Sequence, residues 1–195
     1  MQKKLRSTLV VAIACGTWAC GGSSASSSSA EPAPMAPDAS SFTAHGLNVP
    51  RPDGWQFVAP DGSVAAETLV VIQGPFGAAD SAPAVEISRR VLDARQQRRK
   101  PSHILTQLTM EFVQTFDGFE MIGQPEDMQV AGQPAAKILL KFTESMPDGQ
   151  EIERRARFYG IVHRDSIWII TCLGASDGAN DAEFDSIVGS MKIEA

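Results

Sequence analysis

The chain has 195 residues, with 17 Lys and Arg against 23 Asp and Glu and a formal net charge of −6. A chain with this acidic excess is a poor candidate for binding nucleic acid or an anionic lipid surface, because both need a basic face. The part beyond the N-terminal forty or so residues is long enough to bury a hydrophobic core.

Residues 1–19 are predicted to be an export signal peptide. Lys3, Lys4 and Arg6 supply a positive start, and the uncharged, mostly apolar stretch TLVVAIACGTWA follows. This stretch is shorter than the roughly 20 apolar residues that span a bilayer. No second long apolar run follows it.

Thr17-Trp18-Ala19-Cys20 resembles the lipobox of bacterial lipoproteins, in which the cysteine becomes the lipidated first residue of the mature chain. Ala19 fits this pattern, whereas Thr17 and Trp18 depart from the usual leucine and small residue. The resemblance implies palmitate and diacylglycerol-type lipidation at Cys20 and attachment to a membrane. Two alternatives stay open, which are processing at Cys15 and ordinary cleavage near Ser29-Ala30.

Lipidation of Cys20 has further consequences. Cys172 is then the free thiol that remains, so no intrachain disulfide is expected. Gly21 follows the cysteine, in place of the aspartate that commonly retains lipoproteins at the inner membrane. In a Gram-negative cell this predicts the outer membrane, on its periplasmic face.

Residues 20–42 are predicted to be a disordered tether of Gly, Ser, Ala and Pro. About twenty such residues span roughly 25 Å on average. Removal of the signal peptide leaves 14 Lys and Arg against 23 acidic residues, so the mature chain carries about −9.

Residues 43–195 are predicted to form one domain. A turn at 50–55 precedes β-strand patterns in WQFVA, TLVVIQ and AVEISRRVL. The period then changes to that of an amphipathic helix over 102–116, in which six apolar residues form one stripe: Ile104, Leu105, Leu108, Phe112, Val113 and Phe116. Strands are expected near 119–122 and before the AGQP turn at 131–134.

The hairpin AAKILLKF and IERRARFYGIV is the best-defined element. The apolar residues stand at even positions in both strands, so each residue must pair with one of the same parity if the apolar side chains are to share one face of the sheet. A three-residue loop Pro147-Asp148-Gly149, which pairs Met146 with Gln150, meets this condition. Arg154 does not fit the apolar face. IWIITCL then predicts a central strand covered on both faces, and NDAEFDSIVGSM a closing helix with Asn180 or Asp181 as cap. The expected fold is α+β, mainly an antiparallel sheet with helices packed on its faces.

Two basic clusters interrupt the acidic sequence. The first is Arg89, Arg90, Arg95, Arg98, Arg99 and Lys100, which serves either as a solvated connector or as a contact for an anion or an acidic partner. The second lies on the outward face of the hairpin: Lys137, Lys141, Arg155 and Arg157. The sequence does not indicate whether the two clusters meet.

Gly174-Ala175-Ser176-Asp177-Gly178 matches the G-x-S-x-G nucleophile pattern between a strand and a helix. However, all three histidines precede Ser176. In a triad of another chain order, His163 would be the general base and Asp165 its orienting carboxylate. A serine without a placed base cannot lose its proton, so we expect a connector and no hydrolase.

His45, His103 and His163 show no metal-ligand spacing, and neither a metal nor another cofactor is expected. Cys172, Trp55, Trp168 and Phe158 are expected in the core.

NVPRPDGW, VAGQPAAKILLKF, IWIITCLGAS and EFDSIVGSMKIE, with the helix at 102–116, resemble PsbP-like and DcrB-like domains over most of residues 46–194. The resemblance implies an α/β/α sandwich and a binding or assembly role, and it carries no shared functional residues. We therefore expect a lipid-anchored envelope protein with a non-catalytic domain and an envelope protein partner. A small-ligand carrier with a groove between sheet and helices is the alternative, and a serine hydrolase is third.

Overall fold

The computed structural model describes residues 39–58, 68–75, 82–113, 118–145 and 149–194. The predicted signal peptide, most of the predicted tether and the two candidate lipidated cysteines, Cys15 and Cys20, lie outside these ranges. Residues Met146, Pro147 and Asp148 of the predicted hairpin loop also lie outside them.

An antiparallel sheet of eight strands forms the centre of the domain. Its strands are β3 (Gln56–Val58), β4 (Thr68–Gln73), β5 (Ala84–Val91), β6 (Glu120–Met121), β7 (Glu126–Val130), β8 (Gln133–Ser145), β9 (Glu151–His163) and β10 (Ser166–Ala175). The strand order is β3-β4-β5-β10-β9-β8-β6, and β7 also pairs with β8. The central strand β10 runs between β5 and β9, as the apolar IWIITCL pattern predicts.

Two helices pack on opposite faces of this sheet. On one face, Leu105 of α1 (Pro101–Val113) packs with a cluster that includes Ile138 and Phe158. On the other face, Phe184 of α2 (Asp181–Ser190) packs with a cluster that includes Tyr159 and Ile161. The fold is therefore α+β, with a mainly antiparallel sheet between helices, as the sequence predicts.

A second, three-stranded sheet lies on the α2 side, and the sequence did not indicate it. Its order is β1 (Ser41–Ala44), β2 (Leu47–Pro50) and β11 (Lys192–Ile193). The first strand begins two residues before the predicted start of the domain at residue 43. Phe42, which falls within the predicted tether, is only 6% exposed and packs in the main core. Three strands of four residues or fewer are too short to show a clear period.

The β8–β9 hairpin has the predicted register. Ser145 pairs with Glu151 and Leu140 with Ala156, which is the parity that places the apolar even positions of both strands on one face. Gly149 has φ +83°, the left-handed conformation expected at the end of the loop. Arg154 is half-buried opposite Phe142.

Helix α1 begins where Pro101 and Ser102 predict. Ile104 and Leu105 are fully buried and Leu108 is nearly so, in agreement with half of the predicted stripe. The other three stripe residues, Phe112, Val113 and Phe116, have side chains outside the described set. His103, in the first turn, is exposed as expected.

Large aromatic residues fill the core as predicted. Trp55 and Trp168 are each 1% exposed, and Phe158 is 4% exposed. The rings of Trp55 and Phe184 of α2 pack edge to face, with their centroids 6.3 Å apart. Trp55 also uses its polar edge, because its indole Nε1 donates a hydrogen bond of 2.6 Å to Oε1 of Glu183.

Candidate functional site

The structure divides the first basic cluster between the sheet and the connector that follows it. Arg89 and Arg90 are consecutive residues of β5, so their side chains point to opposite faces of the sheet. The other four cations lie between β5 and α1, in residues 93–100, which we call the cationic turn. Arg95, Arg98, Arg99 and Lys100 are all exposed there.

Hydrogen bonds fix the backbone of the cationic turn. Oδ1 of Asp93 accepts bonds of 2.7 Å from the backbone N–H groups of Arg95 and Gln96. The Gln96 side chain reciprocates by accepting a 3.0 Å bond from the backbone N–H of Asp93. This reciprocal pattern is a capping box, and it holds the single 3₁₀ turn Gln96–Arg98.

The turn is also anchored to the core. Nε2 of Gln97 donates a 2.9 Å bond to the carbonyl of Leu92, and Leu92 is 2% exposed in a cluster with Ile104 and Leu108 of α1. The backbone that carries the cations is therefore fixed both by the hydrogen bonds within the turn and by its attachment to buried Leu92.

The side chains of the cationic turn are scarcely used inside the protein. In the described part of the chain, Arg95 and Arg98 make no side-chain hydrogen bond or ion pair, and Arg99 makes one 3.4 Å contact from Nη1 to Oε1 of Gln107. Lys100 forms no close ion pair but interacts electrostatically with Asp127. Exposed cations without internal partners remain available to an external anion.

Arg89, in contrast, is bound within the domain. Its Nη2 donates a 2.8 Å bond to Oγ of Ser166 and lies 3.7 Å from Oδ1 of Asp165. Its guanidinium carbon is 5.8 Å from the centroid of the buried Trp168 ring, within cation–π range. Arg89 thus ties β5 to the β9–β10 turn. Arg90 also makes an internal contact, so neither Arg89 nor Arg90 is grouped with the exposed cations of the cationic turn.

The second basic cluster is neutralised by carboxylates. Arg157 lies 2.6 Å from Oδ2 of Asp181 and 2.6 Å from Oδ2 of Asp185, both in α2, and Arg155 lies 2.9 Å from Asp181. In the strands, Nζ of Lys141 is 2.5 Å from Glu153 and Nζ of Lys137 is 3.6 Å from Glu126. This cluster attaches α2 to the sheet and joins neighbouring strands, and it is not a free basic surface.

Tyr159 completes the contact between α2 and β9. Its hydroxyl donates a 2.5 Å bond to Oδ1 of Asp185. Burial favours the neutral carboxyl of Asp185, but hydrogen bonds from Tyr159 and Arg157 outweigh burial and lower its pKa. Burial likewise opposes the charge of Arg157, yet its hydrogen bonds to Tyr159 and the two aspartates raise its pKa. Burial and the bond to Asp185 raise the pKa of Tyr159.

The two basic clusters do not meet. Arg89 pairs in register with Trp168, and Trp168 pairs with Ile161 of β9. Arg155 lies six positions before Ile161 on the same strand, which is about 20 Å at 3.3 Å per residue. Lys137 of the second cluster pairs with Tyr159, closer to the level of Arg89, but it lies on β8, three strands away from β5.

The G-x-S-x-G pattern does not form a catalytic site with His163. His163 pairs with Ser166 at the start of β10, whereas Ser176 follows Ala175 at its end. A ten-residue strand separates them by about 30 Å. His163 instead contacts Gln133, with Nδ1 and Oε1 3.2 Å apart. Asn180 stands at the cap position of α2, but its side chain accepts a 3.4 Å bond from the backbone N–H of Ala175 rather than capping the helix.

The other candidates that the sequence raised are a metal site, the thiol of Cys172 and a membrane span. Over the described ranges, no group of three or more His, Cys, Asp or Glu side chains could hold a metal ion. Cys172 is fully buried, and burial raises the pKa of its thiol. No helix of the described part combines the length and the apolar composition needed to cross a bilayer.

The sequence missed one buried acid. Glu86, on β5, is 8% exposed, and Oγ of Thr68 donates a 2.6 Å bond to its Oε1. Burial raises the pKa of this carboxyl, and the Thr68 bond partly opposes the rise. The strand pattern AVEISRRVL indicated a polar position, but the depth of that position depends on what covers the sheet.

Each helix approaches the sheet closely at a strand position that is occupied by glycine. A Cβ at Gly160 would lie 3.2 Å from Leu105 of α1 and 2.9 Å from Ile167. A Cβ at Gly174 would lie 2.9 Å from the Phe184 ring of α2. At these two points, no space for a ligand remains between sheet and helix.

The fold is that of PsbP-like domains. The solution structure of cyanobacterial PsbP (CyanoP) from Synechocystis sp. PCC 6803 superimposes with a TM-score of 0.58 at 14% identity, covering 79% of this chain and 91% of that one. LpqN of Mycobacterium tuberculosis, described as involved in cell envelope biogenesis, superimposes with a TM-score of 0.51 at 13% identity, covering 76% and 83%. No protein-family model matches the chain, and no curated protein sequence matches it either.

Proposed function

We propose that the protein is a lipid-anchored cell-envelope protein whose PsbP-like domain binds or helps to assemble another envelope component and catalyses no reaction. The anchor is Cys20, preceded by the signal peptide and followed by the Gly/Ser/Pro tether. The tether keeps the domain within reach of the membrane, on the periplasmic face of the outer membrane in a Gram-negative cell. The part that LpqN takes in envelope biogenesis supports a role of this kind.

One observation carries the binding role, which is the cationic turn. In a chain with 23 acidic residues, the cations of the second cluster are matched by carboxylates, whereas Arg95 and Arg98 are exposed without an internal partner among the described residues. Their backbone is nevertheless held by a capping box and by buried Leu92. A rigid turn with unmatched charge is well suited to contact an anionic partner, because little freedom is lost on binding.

The alternative functions have less support. The close contacts at Gly160 and Gly174 disfavour a small-ligand groove between sheet and helices. The separation of Ser176 from His163 removes the histidine base that the sequence suggested for a serine hydrolase.

The anchor is tested by cell fractionation with mass spectrometry of the mature N-terminus. We expect the chain to begin at a diacylglyceryl- and palmitoyl-modified Cys20 and to sediment with the envelope. Cys20→Ser should release the protein from the membrane fraction, whereas the matched variants Cys15→Ser and Cys172→Ser should not. An unmodified Cys20, or a mature chain that begins elsewhere, would contradict the proposed anchor.

A further inference from the structure

The cationic turn continues into an exposed stripe of helix α1. Nη1 of Arg99 contacts Oε1 of Gln107 at 3.4 Å, which joins the turn to the helix surface. His103, Gln107 and Met110 are all exposed, and they follow one another at spacings of four and three residues, so they are neighbours on one face of the helix.

Apolar groups flank these charges. The described chain has four large hydrophobic side chains that are strongly exposed, and two of them belong to this region. Val91, 62% exposed, lies two residues before the start of the cationic turn, and Met110, 49% exposed, lies beside Gln107 on α1. A surface that combines exposed apolar side chains with charge is typical of contacts with proteins.

We infer that the cationic turn and the stripe His103, Gln107 and Met110 form a docking surface for an acidic segment of a partner protein that also carries an apolar side chain. This inference rests on the proposed binding function and specifies the partner. Charge complementarity assigns the acidic residues of the partner to Arg95, Arg98, Arg99 and Lys100, and its apolar side chain to Met110.

Two observations favour a protein segment over a lipid surface or a glycan. The cations are confined to six residues, and the rest of the chain is acidic, so a broad anionic membrane would also meet repulsion. A glycan carboxylate would leave Met110 without an apolar partner. The N-terminus of α1 does not supply the site, because Asp127 already accepts a 3.0 Å bond from the backbone N–H of Ser102.

Site-specific photo-crosslinking in the native cells tests this inference on the full, lipidated chain. A benzophenone amino acid replaces Gln107 in one strain and, as a matched control, the exposed Asp53 before β3 in another. We expect an adduct from position 107 that maps by mass spectrometry to a peptide rich in Asp and Glu. Arg98→Glu should reduce its yield at least about tenfold, equivalent to about 1.4 kcal/mol, and Lys192→Glu should not.

Charge exchange makes the test specific. Replacing an identified acidic residue of the partner by Lys should restore the adduct in the Arg98→Glu strain. An adduct with lipid or glycan, an equal yield from position 53, or an adduct insensitive to Arg98→Glu would overturn the inference. An envelope-bound protein that yields no adduct would also overturn it, whereas absence from the envelope would contradict the proposed function itself.

Discussion

At the scale of single residues, two carboxyl groups of the domain have pKa values shifted in opposite directions. Asp185 is paired with Arg157 and Tyr159, so its ionised form is stabilised and its pKa is lowered. Glu86 has one hydroxyl donor, which does not compensate for burial, and its pKa is raised. Two carboxyl groups in one domain therefore make opposite contributions to the pH dependence of stability.

Glu86→Gln is expected to stabilise the domain at neutral pH. The raised pKa means that the folded state binds more protons than the unfolded state once the pH exceeds about 4.5, the ordinary value. The free energy of unfolding of the wild type should therefore fall as the pH rises from 4.5 through the folded-state pKa. Gln keeps an acceptor for Thr68 and does not ionise, so this fall should diminish in the variant.

Urea unfolding between pH 4 and pH 8 measures this effect. Glu120→Gln, at an exposed carboxylate of β6, is the matched control and should leave the pH profile almost unchanged. A Glu86→Gln variant that is less stable than the wild type at pH 7 would show that the carboxylate is stabilised in the fold.

At the scale of elements, α2 is held to the sheet by both ions and apolar packing. Arg157 joins β9 to Asp181 and Asp185, while Phe184 lies against the backbone of β10 at Gly174. The ion pairs fix the position of the helix along β9, and the glycine permits its close approach.

Arg157→Met should destabilise the domain by about 2–3 kcal/mol, because it leaves Asp185 and the Tyr159 hydroxyl without their cation and leaves Asp181 with Arg155 alone. A double-mutant cycle with Asp185→Asn should give a coupling free energy of about 1 kcal/mol or more. The longer pair between half-buried Lys137 and exposed Glu126, 3.6 Å apart, is the control and should couple by well under 1 kcal/mol. Equal coupling in the two cycles would contradict a special role for Arg157.

Gly174→Ala should destabilise the domain by about 1–3 kcal/mol, because the new Cβ would lie 2.9 Å from the buried Phe184 ring. Gly189→Ala is the matched change within α2, where a Cβ meets no atom within 4 Å. It should stabilise the helix by up to about 1 kcal/mol. Thermal unfolding of both variants distinguishes the effects, and a neutral Gly174→Ala would mean that α2 can shift.

At the scale of the whole molecule, the sheets set the positions of the two basic clusters and of the first and last strands of the described domain. The cationic turn follows the end of β5, and along the strand direction Arg155 and Arg157 lie about 20 Å and about 13 Å from the level of Arg89 on that strand. The small sheet begins at Ser41 and joins the first residues of the described domain to β11 at its C-terminal end.

The boundary of the folded domain can be tested by truncation. A chain that begins at Ala39 keeps β1 and Phe42, and we expect its free energy of unfolding to lie within about 0.5 kcal/mol of that of the mature protein. A chain that begins at Thr43 loses Phe42 from the core and should be less stable by at least about 2 kcal/mol. Equal stability of the two truncated chains would show that β1 contributes nothing.

The sequence predicted those features that depend on neighbours along the chain. Alternating residues predicted β8 and β9, their parity predicted the register, and Pro101 with the 3.6-residue period predicted the start of α1. The six cations of the first cluster were recognised by composition alone. The lipid anchor at Cys20 also belongs to this local information and remains a prediction.

Only the tertiary structure decided which charges are free, because ion pairing depends on residues distant in the chain. Arg157 finds its carboxylates 24 and 28 positions later, in α2, whereas Arg98 finds none among the residues that the structure describes. The burial of Glu86 and the separation of Ser176 from His163 have the same origin, which is the packing of distant elements. The sequence by itself determined the strands of the main sheet, the two helices and the candidate anchor, and the fold determined which cations are left without internal ion pairs in the described residues.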